Sequence, residues 1–251
     1  METKKRLILH RGYKGKYLEN SLLSFEQALK QGFDFETDIR VSRDGGIFLI
    51  HDDTLDRLFN CRGKIKEKNS LELKKCSFKE DQNLILVGLE ELCRLIDKIE
   101  NKQSKIFIHI KELEDISKVI NILDRYNLKD RIRFFACDEL TLEFIKIIKE
   151  KYSGYKVGLH VPEDSPYKNK ESFEKTDFIW ADEITFKNIN KEMIELARRF
   201  NKPVYAISLE LIDIDIFDEA IKKRWKEILD LGIEGICTDK PEEFLEFLDE
   251  Y

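Results

Sequence analysis

Each of the four histidines in the chain stands at or near the end of a short apolar run. The runs read LILH, FLIH, IFIH and VGLH, and they end on His10, His51, His109 and His160. Enzymes built on parallel strands carry their reactive groups at the carboxyl ends of those strands. A single histidine there is usually structural, but packing gives no reason for all four to choose the same end. The pattern therefore predicts proton chemistry at one end of a sheet.

A glutamate and an aspartate, Glu36 and Asp38, form an E-x-D pair within the apolar segment 33–41. Residues two apart share a strand face with Cα atoms about 6.7 Å apart, so the two carboxylates repel by about 2–3 kcal/mol at an effective dielectric near 20. A bound cation removes that cost, which favours metal or phosphate chemistry. The alternative is an exposed strand whose carboxylates face water. The opposite face, which a barrel would pack against its helices, carries Phe33, Phe35 and Ile39.

The chain after this pair reads as a hairpin, because Asp44-Gly45 is a strong two-residue turn signal. With these two residues as the turn, Asp38 lies opposite His51 and Glu36 lies diagonal to it. A three-residue loop would shift the pairing by one and turn His51 to the other face. We expect the two-residue turn, which brings a histidine beside the carboxylates.

Two basic residues stand close to the histidines. Arg11 and Gly12 follow His10 directly, and Lys111 is two residues after His109, on the same strand face. Arginine offers a planar fork that suits a phosphate, and a glycine lets the backbone approach a ligand closely. Each basic residue alone could be a surface charge. Together with the carboxylates and histidines, they describe a metal-assisted phosphoryl-transfer site.

The elements that would position these residues alternate between short apolar runs and amphipathic stretches. Eight runs read as strands: 6–10, 33–41, 105–111, 131–137, 155–160, 177–186, 203–209 and 233–239. The clearest helical stretches are 21–32, 190–201 and 217–232. Eight βα units in 251 residues predict a (β/α)₈ TIM barrel as one domain, 1–251, with a doubly wound open sheet as the alternative. Residues 53–88 fit no βα unit, and we expect an insertion over one barrel mouth.

Composition excludes several classes of function. Charged residues make up 37% of the chain, but 44 basic and 50 acidic residues leave a net charge of −6, so no basic field is available for nucleic acid. No apolar run has the length of a membrane span, and the N-terminus lacks the apolar core of a signal peptide. The five cysteines are scattered, with no C-x-x-C pair, and we expect reduced thiols in a cytoplasmic protein. The oligomeric state stays open.

Six motifs in order resemble the glycerophosphodiester phosphodiesterase family. They are H-R-G at 10–12, L-E-N-S at 18–21, E-x-D at 36–38, R-D-G at 43–45, H-D-D-T-L-D-R at 51–57 and I-C-T-D-K-P at 236–241. The resemblance implies a (β/α)₈ barrel with a small insertion after the second strand and its hairpin. It also implies hydrolysis of a small glycerophosphodiester to glycerol 3-phosphate and an alcohol.

The resemblance also implies roles for individual residues. His10 and His51 match the general acid and base, without saying which is which. Arg11 and Lys111 match residues that hold the phosphate. The remaining matches concern the metal, commonly calcium or magnesium: the ligands Glu36 and Asp38, and Glu19 as a nearby glutamate and possible further ligand.

Two departures from the family pattern affect these expectations. His109-Ile110-Lys111 stands where the family has Glu-x-Lys, with the Glu as third metal ligand. His109 is then a replacement ligand, a phosphate or hydroxyl contact, or an inert residue. As a ligand, an imidazole favours manganese or zinc over calcium and magnesium. The second departure is 205–210, Tyr-Ala-Ile-Ser-Leu-Glu, where the family carries a Trp with Thr and Asn and where substrate contacts are expected.

Two other functions compete with this hypothesis. A phospholipase D-type relative acting on lysophospholipids would need an apolar groove, for which the insertion offers Leu58, Phe59, Phe78, Leu84 and Ile85. A non-catalytic binding protein on a degenerate barrel is the other possibility, because His109 replaces an expected ligand. The presence of both His10 and His51 favours the enzyme.

Overall fold

The computed structural model describes residues 6–183, 187–208 and 219–251. The strands are β1 (Leu7–Leu9), β2 (Asp34–Val41), β3 (Ile47–Leu49), β4 (Ile106–Ile110), β5 (Ile132–Ala136), β6 (Lys156–Val161), β7 (Phe178–Asp182), β8 (Val204–Ile207) and β9 (Gly235–Thr238). The helices are α1 (Leu22–Gln31), α2 (Ser70–Leu73), α3 (Leu89–Lys98), α4 (Ile116–Arg125), α5 (Thr141–Lys151), α6 (Lys170–Lys175), α7 (Lys191–Arg199), α8 (Glu219–Asp230) and α9 (Pro241–Glu250).

Eight of the strands form a closed parallel barrel with flanking helices, a TIM barrel. The sheet order is β1-β9-β8-β7-β6-β5-β4-β2-β3, and β3 is the antiparallel hairpin partner of β2. Each of the eight predicted runs overlaps one barrel strand, so the predicted fold class is confirmed. The parts of the predicted elements at residues 184–186, 209 and 217–218 lie outside the described residues. None of the helices described is long and apolar enough to cross a membrane.

The chain divides into two compact units, residues 11–132 and residues 1–10 with 133–251. In the first unit, helix α1 begins at Ser21, whose side chain accepts a hydrogen bond from the backbone N–H of Ser24, and it ends at Gly32 with φ +78°. The buried face of α1 meets β2, where the rings of Phe25 and Phe35 lie 5.2 Å apart. This packing leaves the even-numbered residues of β2 for the opposite face.

The second unit contains six strands that pair in parallel, in the order β5, β6, β7, β8, β9 and β1. Its core is rich in aromatic side chains, and the stacked rings of Phe135 and Trp180 lie 4.5 Å apart. His160 is the penultimate residue of β6 and pairs in register with Trp180 of β7. The strand ends in this unit also carry His10 and Asp182.

The predicted hairpin register is wrong by one residue. Ile39 pairs with Leu49 and Val41 with Ile47, so the loop has three residues, and Asp38 accepts a hydrogen bond from Ile50 rather than facing His51. Only Gly45 in the loop has a positive φ, whereas the type I′ two-residue turn that Asp-Gly favours needs two such positions. The Asp44 carboxylate instead accepts hydrogen bonds from Ser42 Oγ and from the backbone N–H of Ser70, which stabilise the longer loop.

The insertion at 53–88 has little regular structure beyond one 3₁₀ turn and the short α2. Apolar side chains of the insertion pack with two residues of the preceding hairpin to form a buried cluster. Its fully buried members are Phe48, Ile50, Leu55, Phe59, Ile65, Leu73, Cys76, Phe78 and Leu86. Leu58 and Leu84 pack against this cluster from the surface. Hydrophobic burial therefore holds the segment in place.

Cys61 and Cys76 form a disulfide within this insertion, which overturns the expectation of reduced thiols for these two residues. Phe59 and Phe78 form an antiparallel bridge, and this register continues to place residue 61 opposite residue 76. Asn60 Nδ2 donates to Ser77 Oγ at 2.8 Å in the same register. The two cysteines are 15 residues apart in sequence, so only the fold of the insertion brings them together.

Candidate functional site

The carboxylates predicted to bind a metal lie on the inner face of β2. Glu36 is 2% exposed and Asp38 is 1% exposed, so the alternative of a solvated strand is wrong. The neighbouring strand β4 is parallel and in register, with Asp38 beside His109. Thr37, on the opposite face, donates a hydrogen bond to Asn20 Oδ1 at 2.8 Å. Because successive residues of β2 face opposite sides, the acidic pair lies on one face and Thr37, which holds the loop after β1 through Asn20, lies on the other.

Glu36, Asp38 and His109 offer one ligand atom each, and these atoms lie within 4.8 Å of one another. The donor set of two carboxylate oxygens and one imidazole nitrogen suits a divalent cation. Asp38 Oδ2 is buried and accepts no hydrogen bond from the described residues, with Arg11 Nε at 3.7 Å. These three side chains therefore fit a metal ion.

The two carboxylates have opposite pKa shifts because their neighbours differ. Burial and the charge of Asp38 raise the pKa of Glu36 well above its ordinary value. Burial also acts to raise the pKa of Asp38, but the ammonium of Lys111 and the imidazole of His109 hold that pKa well below its ordinary value.

Lys111 lies inside this cluster. Its ammonium donates to His109 Nδ1 at 2.9 Å and lies 3.0 Å from Asp38 Oδ1. The lysine therefore contacts two of the three candidate ligands. It provides a positive charge at the position where the sequence predicts a phosphate contact.

Arg11 and Gly12 follow β1 with left-handed backbone conformations, φ +50° and φ +74°. A Cβ atom on Gly12 would lie 2.4 Å from Ser24 Oγ, so a larger residue does not fit. The backbone N–H of Arg11 donates to Glu36 Oε2 at 3.1 Å. The guanidinium donates to Glu19 Oε1 at 2.8 Å. The turn thus aims the arginine at the acidic cluster.

Glu19 lies outside the candidate metal cluster. It is held by two arginines, Arg11 and Arg57, and Arg57 also donates to Asp52 Oδ2 at 2.6 Å. Asp52 Oδ1 lies 3.0 Å from His51 Nδ1. Asp52 and Arg57 were not predicted as site residues from the sequence, although both belong to the H-D-D-T-L-D-R motif.

His10 belongs to the other unit, where Nδ1 lies 2.9 Å from Asp239 Oδ1. Because a carboxylate only accepts, His10 Nδ1 and His51 Nδ1 each carry the proton of their bond, and Nε2 is the nitrogen opposite the bond. Asp239 was also missed, although it is the Asp of I-C-T-D-K-P. His160 makes a similar bond at 3.0 Å to Asp182 Oδ1.

The predicted site residues of the first unit are therefore brought together in two connected groups. One is the acidic cluster with Lys111 and Arg11, and the other is the Glu19–Arg57–Asp52–His51 set. Residues 205–210, where the sequence departs from the family pattern, are described in part. Tyr205 is a buried residue of β8, while Leu209 and Glu210 lie outside the described residues.

Comparison with known families decides the chain's membership. A sequence model of the glycerophosphoryl diester phosphodiesterase family matches residues 10–243. The chain belongs to this family. It is therefore a phosphoric diester hydrolase, and the non-catalytic binding protein is set aside.

Relatives of this family member cover its full length. A glycerophosphodiester phosphodiesterase of Bacillus altitudinis is 26% identical over 260 residues, covering 98% of each chain. A glycerophosphodiester phosphodiesterase structure from Thermotoga maritima has a TM-score of 0.71 at 25% identity, covering 96% of this chain and 97% of that one. A phosphodiesterase of Oleispira antarctica, solved in complex with the product sn-glycerol-3-phosphate, has a TM-score of 0.79 at 19% identity, covering 97% and 96%. The predicted family is thus confirmed.

Proposed function

We propose that this family member hydrolyses small glycerophosphodiesters to sn-glycerol 3-phosphate and an alcohol with the help of a divalent cation. The observation that carries the proposal is the buried Glu36–Asp38 pair, which has both Arg11 and Lys111 within reach. Such a group of opposite charges suits a phosphodiester together with a cation. A small phosphodiester is thus the proposed ligand of the site.

Two imidazoles supply the proton transfers in this proposal. The carboxylate that each of His10 and His51 meets at Nδ1 supports this role, because such a bond fixes the tautomer in which Nε2 can exchange a proton. One Nε2 takes a proton from the attacking oxygen, of water or of a substrate hydroxyl. The other protonates the alkoxide as its P–O bond breaks. With water added overall, the phosphate keeps its glycerol and the alcohol leaves.

The cation would be held by Glu36, Asp38 and His109, which are the three candidate ligands within 4.8 Å of one another. A bound divalent ion supplies Lewis-acid stabilisation of the negative charge that builds up on the phosphoryl oxygens. Arg11 and Lys111 share that task by binding the phosphate directly, Arg11 as a planar fork and Lys111 as a point charge.

The test is a screen of activity against metals and substrates. We expect glycerol 3-phosphate from glycerophosphocholine and glycerophosphoethanolamine, with the activity lost on chelation and restored by one of magnesium, calcium, manganese or zinc. Activity that survives exhaustive chelation contradicts the metal role of Glu36 and Asp38. No product from any glycerophosphodiester contradicts the proposed reaction.

A second candidate, hydrolysis of lysophospholipids, is favoured by one cavity. A cavity of about 610 Å³ extends from Glu19 and Arg57, and its apolar lining includes Leu18, Leu23, Leu58 and Leu84. Phe59 and Phe78, which were candidates for the lining of such a groove, lie instead in the buried cluster. Product formed from lysophosphatidylcholine but not from glycerophosphocholine would establish this candidate over the first.

A further inference from the structure

The guanidinium of Arg57 joins two carboxylates that come from different parts of the chain. It forms a fork with Glu19, NH2 to Oε1 at 2.7 Å and NH1 to Oε2 at 3.0 Å. It also contacts Asp52, Nε to Oδ2 at 2.6 Å and NH2 to Oδ1 at 3.1 Å. Four hydrogen bonds to two carboxylates fix the plane of the guanidinium.

Each carboxylate has a second partner with a proposed role in the reaction. Glu19 Oε1 also accepts from Arg11 NH1 at 2.8 Å, and Asp52 Oδ1 accepts from His51 Nδ1 at 3.0 Å. The five side chains form one continuous line from the proposed phosphate contact to a proposed acid or base. We call this line, Arg11–Glu19–Arg57–Asp52–His51, the Arg57 bridge.

Charge and burial indicate that the bridge acts on geometry rather than on stability. The Glu19 side chain is 4% exposed, while the Arg57 side chain is 47% exposed. Burial acts to raise the pKa of Glu19, but the hydrogen bond from Arg57 and the charge of Arg11 lower it below its ordinary value, so Glu19 stays ionised. Ion pairs with a solvent-exposed partner contribute little to unfolding free energy. Such an arrangement orients groups more than it stabilises the fold.

The backbone that carries Arg57 is itself fixed. Leu55 and Phe59 are fully buried in the apolar cluster, and the N–H of Phe59 donates to the carbonyl of Leu55 at 2.9 Å. Leu55 N–H donates to the carbonyl of Gly63 at 3.0 Å. The insertion therefore holds the Arg57 backbone in a rigid turn while the side chain reaches out.

We propose that Arg57 is a positioning residue, which sets Arg11 and His51 relative to each other through Glu19 and Asp52. The proposal rests on the proposed function for the roles of Arg11 and His51. It assigns the insertion a task in the reaction, since the insertion supplies the central guanidinium. Without Arg57, Glu19 pairs with Arg11 alone and holds it back from phosphate, and Asp52 loses the guanidinium that fixes it against His51.

The experiment compares Arg57→Gln with Arg62→Gln, an exposed arginine of the same insertion, as matched control. We expect Arg57→Gln to lower kcat by about 100-fold, the scale of a small misplacement of catalytic groups, and Arg62→Gln to leave it unchanged. Calorimetry with inorganic phosphate should show about tenfold weaker binding for Arg57→Gln. Melting temperatures should agree among wild type and both variants. Added ethylguanidinium should restore part of kcat for Arg57→Gln alone.

The double variant Arg57→Gln with Asp52→Asn separates a shared role from independent ones. Because both residues act on His51, the double variant should lose much less than the product of the two single losses. Single losses that multiply fully, or an Arg57→Gln enzyme within threefold of Arg62→Gln, overturn the proposal. If the wild type hydrolyses no glycerophosphodiester, the proposed function fails, and the phosphate titration still tests the bridge: equal affinities overturn it.

Discussion

Replacing Lys111 with methionine should tighten the binding of a divalent cation while removing a phosphate contact. The Lys111 ammonium lies 3.0 Å from Asp38 Oδ1 and 2.9 Å from His109 Nδ1, and both residues belong to the candidate metal cluster. An ion bound there has the ammonium as a close neighbour of like charge. Methionine keeps a long flexible side chain of similar shape without the charge.

The magnitude follows from the charges. Two unit charges 4 Å apart interact by about 1 kcal/mol in water and by about 4 kcal/mol at an effective dielectric of 20, and a divalent ion doubles these values to about 2–8 kcal/mol. The lysine stem is flexible and can turn the ammonium away, so the lower end of the range applies. About 2 kcal/mol corresponds to roughly 30-fold tighter metal binding.

The assay is calorimetric titration of the apo-protein with magnesium, calcium, manganese and zinc. Lys118→Met serves as control, because Lys118 is a half-exposed lysine of the same unit that pairs with Asp115, away from the cluster. We expect Lys111→Met to bind the preferred ion about 30-fold more tightly than wild type, and Lys118→Met to bind it as wild type does. Steady-state kinetics should show that Lys111→Met loses activity despite its tighter metal binding.

Equal or weaker metal binding by Lys111→Met refutes this reasoning. It would mean that the ion does not share Asp38 and His109 with the ammonium, so the cluster of Glu36, Asp38 and His109 is not the metal site. A wild-type protein and a variant that both bind none of the four ions refute the metal site altogether.

Three further predictions concern other parts of the molecule. His10→Ala and His51→Ala should each lower kcat by about 10²–10⁴, with the double variant losing less than the product; single variants within threefold of wild type, measured when chemistry limits the rate, contradict the assignment. His109→Glu should raise calcium and magnesium affinity several-fold in calorimetry and weaken the preference for manganese or zinc; unchanged affinities for all four ions mean that His109 is not a ligand. Burial acts to raise the pKa of Asp177, but the hydrogen bonds from Lys149 at 2.6 Å and from the backbone N–H of Val157, together with the charges of Lys149 and Lys156, lower it below its ordinary 3.8. Asp177 therefore stabilises the fold above pH 3.8, and this contribution is lost as the pH falls through the lower folded-state pKa. Asp177→Asn should lower the melting temperature at neutral pH and flatten its decline in acid; a parallel decline contradicts this contribution.

The strands could be predicted because each one is a short, nearly continuous apolar run, as parallel strands covered on both faces require. Glu36 and Asp38 could be placed on one buried face of β2 for a related reason, since Phe35 and its odd-numbered neighbours pack against the helices. The hairpin register could not be predicted from its turn residues. The carboxylate of Asp44 takes a hydrogen bond from Ser70, 26 residues away, and this contact favours the longer loop.

The candidate site shows the same division between local and distant information. The periodicity of β4 correctly put His109 and Lys111 on one face, close to Asp38. No periodicity indicates that Arg57 meets Glu19, because 38 residues separate them and the insertion that carries Arg57 has almost no regular structure. The roles of these residues stay predictions until the variants are measured.

The Cys61–Cys76 disulfide also determines the result of proteolytic cleavage within the insertion. Between the two cysteines lie exposed basic residues, among them Arg62, Lys64 and Lys66, which are natural cleavage points for trypsin. Cleavage at any of them leaves two polypeptides linked by the disulfide, which migrate as one band in denaturing electrophoresis until a reductant separates them. The nicked molecule also keeps Arg57 on the amino-terminal side of the cut, on the same piece of chain as Glu19 and Asp52.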